Sequence, residues 1–496
     1  MIEQRPSANT KDTMRQNLPK GLAVFSVVHL AGVGIALGLF FGTKIESGQW
    51  ALLVAASGLA TYIVIALVDA RTALLVWIIT APFARFVYLN VDLGRGIPNL
   101  TLNRVMTAFL VVLLLAQLAG RRRKMAKITV ADILLAAFCG AMALSVQHAI
   151  VGIKSGAQSF FDLIVIPVVV YFLARNLITS RKDLKAVIYS LLIVGFYLAV
   201  LAIHEQVTGV VWFYPEDRSV RYTRSIRRVV ALLGNPAYIA VSIGMAVPWA
   251  WYLFLNARHH RSRYLFIVLV MMAGVYFCMN RSGWVGLVAA LLVMALFIKR
   301  FRGIVLTMLL LGVIVGGVYW AIIISSATVQ ERLTAQGPIE YRMQTWKVAL
   351  GMIKDHGVFG LGWDNFRYYY KQYAYWDIYL RAMPTPHNTY LWVILTAGIA
   401  AFIPFVTFLL SIFFSALRVL VRGISEATAS VDAELAGTFL ASMVVILAPA
   451  MVMDVLTGYY NTMLMFLIMG AFSGFMTGEG RRLREEKRRQ AALART

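Results

Sequence analysis

Apolar residues run along this chain in blocks, each of about 20 residues and so long enough to cross a bilayer as a helix. The blocks fall at 22–41, 50–69, 71–89, 103–120, 129–149, 160–178, 184–206, 236–256, 264–280, 282–299, 303–325, 389–417, 434–456 and 460–476. The pattern predicts an all-α, polytopic transmembrane helical bundle of about 14 spans. The connections within 50–89, 264–299 and 434–476 are so short that each pair also reads as one long helix or as one span split in two. Two polar stretches break the alternation, at 207–235 and 326–388, and these are predicted to be long loops.

Charge adds an orientation. Lys and Arg cluster at Arg121–Lys124, at Arg175 with Arg181 and Lys185, at Arg258–Arg263, at Lys299–Arg302, at Arg418 with Arg422, and in the tail from Arg481. Loops that stay in the cytoplasm hold such clusters. Fourteen spans with both termini inside put every cluster on that side and both long loops on the other. The first twenty residues are polar and basic, and no small-residue cleavage site follows Leu22, so an uncleaved anchor is expected there.

Composition agrees: 60% of the 496 residues are hydrophobic and 14% charged, which leaves no soluble domain of any size. The net charge of +24 is spread over short inter-span clusters rather than one basic face, which argues against nucleic acid. Cys139 and Cys278 lie in different apolar blocks, so neither a disulfide nor a thiolate metal site is expected. His148, His204, His356 and Glu205 lie toward the outer face without ligand spacing, and no metal site is assigned.

The loop 207–235 breaks the positive-inside pattern, with Arg218, Arg221, Arg224, Arg227 and Arg228 against Glu216 and Asp217. Guanidinium is permanently charged and donates two bonds to one phosphate, so an exported arginine cluster fits a diphosphate. The alternative is a solvated loop lying against anionic headgroups. Arg281, in Asn280-Arg281-Ser282-Gly283, lies at a tight outer turn with little room to reach water, which favours an anion or a polar cavity over snorkelling. Arg342 reads equally as an anion contact or as an ordinary polar-face residue.

The stretch 340–398 carries an ordered set of residues: Arg342, Trp346, Gly360 and Gly362, Phe366, His387-Asn388, Leu391 and Gly398. In order and spacing this resembles the O-antigen ligase and polymerase superfamily of bacterial membrane glycan transferases. Ligases of that family commonly carry a further glycine where this chain has Ala401. The resemblance implies a glycosyltransferase-C-like bundle with two long outer loops, in the bacterial inner membrane, with its active site on the periplasmic face. It divides the chain into a bundle at 1–325, an outer catalytic loop with short helices at 326–388, C-terminal spans at 389–476 and a basic cytoplasmic tail at 477–496.

The resemblance also implies a reaction: a glycan moves from undecaprenyl diphosphate onto an acceptor sugar, with inversion and without metal or cofactor, during surface polysaccharide assembly. His387 would be the base, since an imidazole titrates near neutrality. Arg227, Arg228, Arg281 and Arg342 would hold the diphosphate, with Arg224 and Asn388 in support; Asn388 reads equally as a helix cap. The aromatic run from Trp363 to Tyr379 would lie at the headgroup level. Partners would be the lipid-linked glycan, an acceptor glycan or glycolipid, membrane lipid and other polysaccharide-assembly proteins. A repeat-unit polymerase is favoured, with a ligase to lipid A-core as the alternative. A lipid-linked oligosaccharide transporter is the rival of another class, which should show charge lining a central path and internal symmetry.

Overall fold

The computed structural model describes residues 48–493 apart from 85, 87–89, 93, 95–97, 122, 215–228, 324–336, 375–384 and 426–429. The described chain is almost entirely helical: α1 (Gly48–Val68), α2 (Ala70–Ala84), α3 (Leu102–Ala119), α4 (Val130–Ser145), α5 (Ile153–Phe160), α6 (Ile166–Leu177), α7 (Arg181–Thr208), α8 (Pro236–Asn256), α9 (Arg261–Phe277), α10 (Arg281–Phe297), α11 (Arg302–Ile323), α12 (Gly337–His356), α13 (Phe366–Tyr373), α14 (Thr389–Ser425), α15 (Ser430–Leu447) and α16 (Tyr459–Leu493). A two-residue antiparallel ladder, Asn90–Val91 against Leu100–Thr101, is the sole sheet among the described residues.

A helix lies on every apolar block from residue 50 onward, while the block at 22–41 lies outside the described residues. Eight described helical segments are long and apolar enough to cross a membrane; Gly58–Val68, Ala70–Ala84 and Arg281–Phe297 are apolar but shorter. Helices are the form apolar sequence takes in lipid, because each satisfies its own backbone groups. Large apolar side chains such as Leu115, Phe266, Leu309 and Phe414 point outward, as they do where the surrounding solvent is hydrocarbon.

α8 sits at the centre, packed against α7, α9, α10, α15 and α16, while α14 lies on α4 and α15, and α16 lies on α6. Close approach needs small residues: a Cβ on Gly470 of α16 would stand 2.4 Å from the Tyr171 carbonyl oxygen of α6. The helices share two ends. At one, Asp132 caps α4 through the Thr129 N–H (2.6 Å) and pairs with Arg175, both fully buried. Arg181 pairs there with Asp432, and Arg300 with Glu434. Asp432-Ala433-Glu434, which has the spacing of a metal-binding acidic pair, is thus occupied by ion pairs to arginines of the basic clusters. At the other end lie the C-terminus of α4, the N-termini of α8, α10, α14 and α16, and the helices α12 and α13.

Candidate active site

Two short helices, α12 and α13, cover this second end, joined by the glycine turn at 357–362. Val348, Ala349 and Met352 of α12 form a small core of their own with Leu361, Phe366, Tyr370 and Leu395. The turn is stitched into α14, which is interrupted at Ala397–Gly398 (Ala397 φ −140°, Gly398 φ 71°). Backbone groups released by the break are taken up by the turn: the Leu361 N–H donates to Leu395 O (2.6 Å), Gly362 N–H to Thr396 O (3.2 Å), and Ile399 N–H to Gly357 O (2.9 Å). Irregular backbone inside a span survives only when buried in protein in this way. Trp363 follows the turn and is fully buried, edge-on to Phe160 and Trp392, with its backbone N–H donating to Ser145 O (3.0 Å). Tyr370 is buried as well. Those two therefore anchor the loop to the bundle instead of lying at the headgroup level, because a rigid aromatic fills the gap a broken helix leaves.

His387 stands just ahead of α14, on a left-handed backbone (φ 49°) after the buried Pro386. That conformation is uncommon for a non-glycine residue and is held by Asp454, in the turn between α15 and α16. Asp454 Oδ2 accepts from the His387 N–H (3.0 Å) and Oδ1 from the Asn388 N–H (2.9 Å). The Thr389 hydroxyl donates to Met453 O (2.9 Å) and accepts from the Val455 N–H (2.9 Å), so the two turns are knitted together. Asn388 caps α14, its Oδ1 accepting from the N–H groups of Tyr390 (3.0 Å) and Leu391 (3.1 Å), and its Nδ2 donates to Met451 O (2.9 Å). Capping accounts for that side chain.

The His387 ring is open to solvent over 38% of its surface, and its Nδ1 lies 3.8 Å from Asp454 Oδ2. Burial, then the nearby Arg342 guanidinium, hold the imidazole below its ordinary pKa, so it is a free base at neutral pH. Arg342, on α12, is itself pushed down by burial and by Arg281. The Arg342 guanidinium thus stands near both His387 and Arg281, and among the described residues no carboxylate pairs with either arginine. Arg281 sits in the first turn of α10, where the helix dipole disfavours a cation, while Asn280 does the capping by accepting from the Gly283 N–H (2.8 Å). Like charges gathered near a helix N-terminus suit an anion.

Arg224, Arg227 and Arg228 lie outside the described residues. The chain just after them is fixed: the buried Glu205 accepts from the N–H groups of Val230 (2.9 Å) and Ala231 (2.7 Å), and Asn235 caps α8. Among the described residues no three His, Cys, Asp or Glu side chains converge as metal ligands. Asp454 is the residue that sequence reasoning passed over. The available signal was an acidic residue in the short apolar connection before Tyr459, where a charge needs a purpose.

Burial pushes the Asp454 carboxyl up to about 6 against the hydrogen bonds from Thr385, Asn388 and His387. A carboxyl raised on folding stabilises most below its unfolded pKa of about 3.9, and that contribution is lost as pH rises through about 6. The penalty above that window is on the order of 3 kcal/mol. Thermal stability in detergent should therefore fall between pH 4 and 6 in the wild type, and Asp454→Asn should flatten that slope. An unchanged slope in the variant would place the titration elsewhere.

Residues 265–406 match a family model described as O-antigen ligase. No curated protein matches the chain. The match runs from α9 through Arg281, Arg342, the 357–362 turn and His387 to the interrupted part of α14, the same residues that converge at this end of the bundle. Over that segment this helical, membrane-type chain is similar to the O-antigen ligase family.

Proposed function

We propose that the protein transfers a glycan from undecaprenyl diphosphate to an acceptor sugar on the periplasmic side of the bacterial inner membrane, and that it acts as a repeat-unit polymerase. The observation that carries this reading is the grouping of a neutral His387 with Arg342, which in turn stands near Arg281, neither arginine being paired with a carboxylate among the described residues. With Nδ1 toward Asp454, Nε2 is left for the acceptor. It takes the proton of the acceptor hydroxyl as that oxygen bonds to the anomeric carbon. The bond from that carbon to the diphosphate oxygen breaks in the same displacement, which inverts the centre. Arg281 and Arg342, joined by arginines of the 215–228 segment, take up the charge that develops on the leaving diphosphate. Asp454 is 3.8 Å from Nδ1 at rest and stabilises the imidazolium as it forms, a contact that tightens on protonation.

The description of the matched family favours a second reading, a ligase, for which the acceptor would be lipid A-core. A deletion strain carrying the wild-type gene or none separates the two on a gel of surface polysaccharide. Loss of long chains, with single units still reaching their anchor, supports the polymerase. Bare lipid A-core with lipid-linked polymer accumulating supports the ligase, and normal polysaccharide without the gene defeats both.

Arg342→Ala tests the anion site. A charged hydrogen bond is worth about 1.5–3 kcal/mol, so the KM for the lipid diphosphate should rise roughly 10- to 100-fold. Because the substitution also relieves repulsion from Arg281, the melting temperature should hold or rise. A fall in stability with KM unchanged would make Arg342 a structural residue.

A further inference from the structure

A second polar space opens at the same end of the bundle, beside the candidate active site. It is a cavity of about 780 Å³ between the C-terminus of α2, the N-termini of α3 and α16, α5 and the turn that follows it. That volume is in the range of small-molecule sites. Its wall contains Arg104, from which Nε and Nη2 make a bidentate pair with Asp162 (2.8 Å each), while Nη2 also donates to Gln158 O (3.1 Å). Arg104 is buried and its bonding is spent on the protein, whereas 40% of the Asp162 side chain remains exposed. Asp162 lies in a π-helical turn, Phe161–Val165, inside an otherwise continuous helix from Ile153 to Leu177. Such turns widen a helix locally and recur at functional sites.

The chemistry of the wall selects its ligand. Among the described lining residues Arg104 is the one cation, and Asp162 cancels it, so a diphosphate finds no net charge here. What remains is a mixture of hydroxyls and amides with both donors and acceptors, next to the rings of Tyr238 and Tyr459. Asn461 in the wall donates from Nδ2 to Tyr238 O (2.9 Å) and to Ser242 Oγ (3.1 Å), and its buried Oδ1 has no hydrogen-bond partner among the described residues. A half-open carboxylate, amides, hydroxyls and aromatic rings together suit vicinal hydroxyls on a ring with apolar faces. The cavity is also joined to the base. The Thr457 hydroxyl meets Tyr238 OH (2.8 Å) on the cavity side and donates to Asp454 O (2.7 Å), the residue that holds His387.

We propose that this cavity binds uncharged sugar residues of the acceptor glycan, with Asp162 accepting from sugar hydroxyls and Arg104 fixing its orientation. The identity of the ligand as acceptor rests on the transferase reading; the existence of a sugar site does not. The probe is a delipidated oligosaccharide of one to three repeat units, released by mild acid from the producing cell's own surface polysaccharide. It is titrated calorimetrically into purified protein, with inorganic pyrophosphate as competitor. Wild type should bind it with a Kd undisturbed by pyrophosphate. Ser159→Leu, which narrows the cavity and leaves the Arg104–Asp162 pair in place, should weaken binding at least tenfold at unchanged melting temperature. Should that variant misfold, Ser155→Leu at the exposed rim serves the same purpose. Wild-type affinity in the folded variant, or displacement of the sugar by pyrophosphate, would overturn the assignment. Sugar binding by a protein that transfers nothing from a lipid diphosphate would keep the site and remove the transferase.

Discussion

Replacing His387 by alanine should lower kcat for glycan transfer by about 10²- to 10⁴-fold, the range in which a positioned general base contributes. The KM for the lipid diphosphate should change little, because the proposed anion contacts are those of Arg281 and Arg342. Folding should also survive, since the contacts that fix this turn are made by the His387 backbone N–H and by Asn388 and Thr389, none of which the substitution removes. The pH profile gives an independent reading. His387 is held below its ordinary pKa and Asp454 titrates at about 6, so the wild-type rate should fall as pH drops below about 6 and stay flat through neutrality. Asp454→Asn should lower the rate without abolishing it, by leaving the imidazolium without its counter-charge. Wild-type turnover in His387→Ala at matched protein level would end the base assignment.

Much of the bundle was legible because lipid imposes a simple rule. A run of apolar residues must become a helix, and each block from residue 50 onward did so. The short helices α12 and α13 were expected within the loop 326–388, where the glycines at 357–362 separate them. Hidden from the sequence was the way the loop returns into the membrane. Trp363 and Tyr370 read as interfacial aromatics, and composition does not tell an aromatic facing headgroups from one plugging a broken helix. Asp454 was obscure because its partners, the N–H groups of His387 and Asn388, lie 67 and 66 residues away in sequence. The two arginines are a further case: Arg281 and Arg342 were each legible as candidates, but that they act on each other is a fact of tertiary structure. Asp162 and Arg104 are similarly 58 residues apart, and a pairing between two spans leaves no local pattern.

Gly398→Val should abolish activity by dismantling the site from a position that touches no substrate. Gly398 has φ 71° and ψ −169°, a region open essentially to glycine alone. A side chain there costs about 1–3 kcal/mol in backbone conformation. Sterics add to this, for a Cβ at 398 would stand 2.1 Å from the Val358 carbonyl oxygen and 2.8 Å from the Phe359 carbonyl carbon. Those are backbone atoms with no rotamer to give, so the 357–362 turn must leave the break in α14. The bonds from Leu361 to Leu395 and from Ile399 to Gly357 go with it, at about 1 kcal/mol each, and α12 carries Arg342 away from His387. Ala401 provides the control. It is fully buried three residues further along the same helix, so Ala401→Gly should cost only about 0.5–1 kcal/mol of helix stability and leave transfer intact. Melting temperature in detergent and transfer rate, measured on both variants, separate a glycine required by backbone geometry from a position where a glycine is merely tolerated. A Gly398→Val protein with wild-type values would mean that the turn does not occupy the break, and the route by which α12 reaches His387 would have to be redrawn.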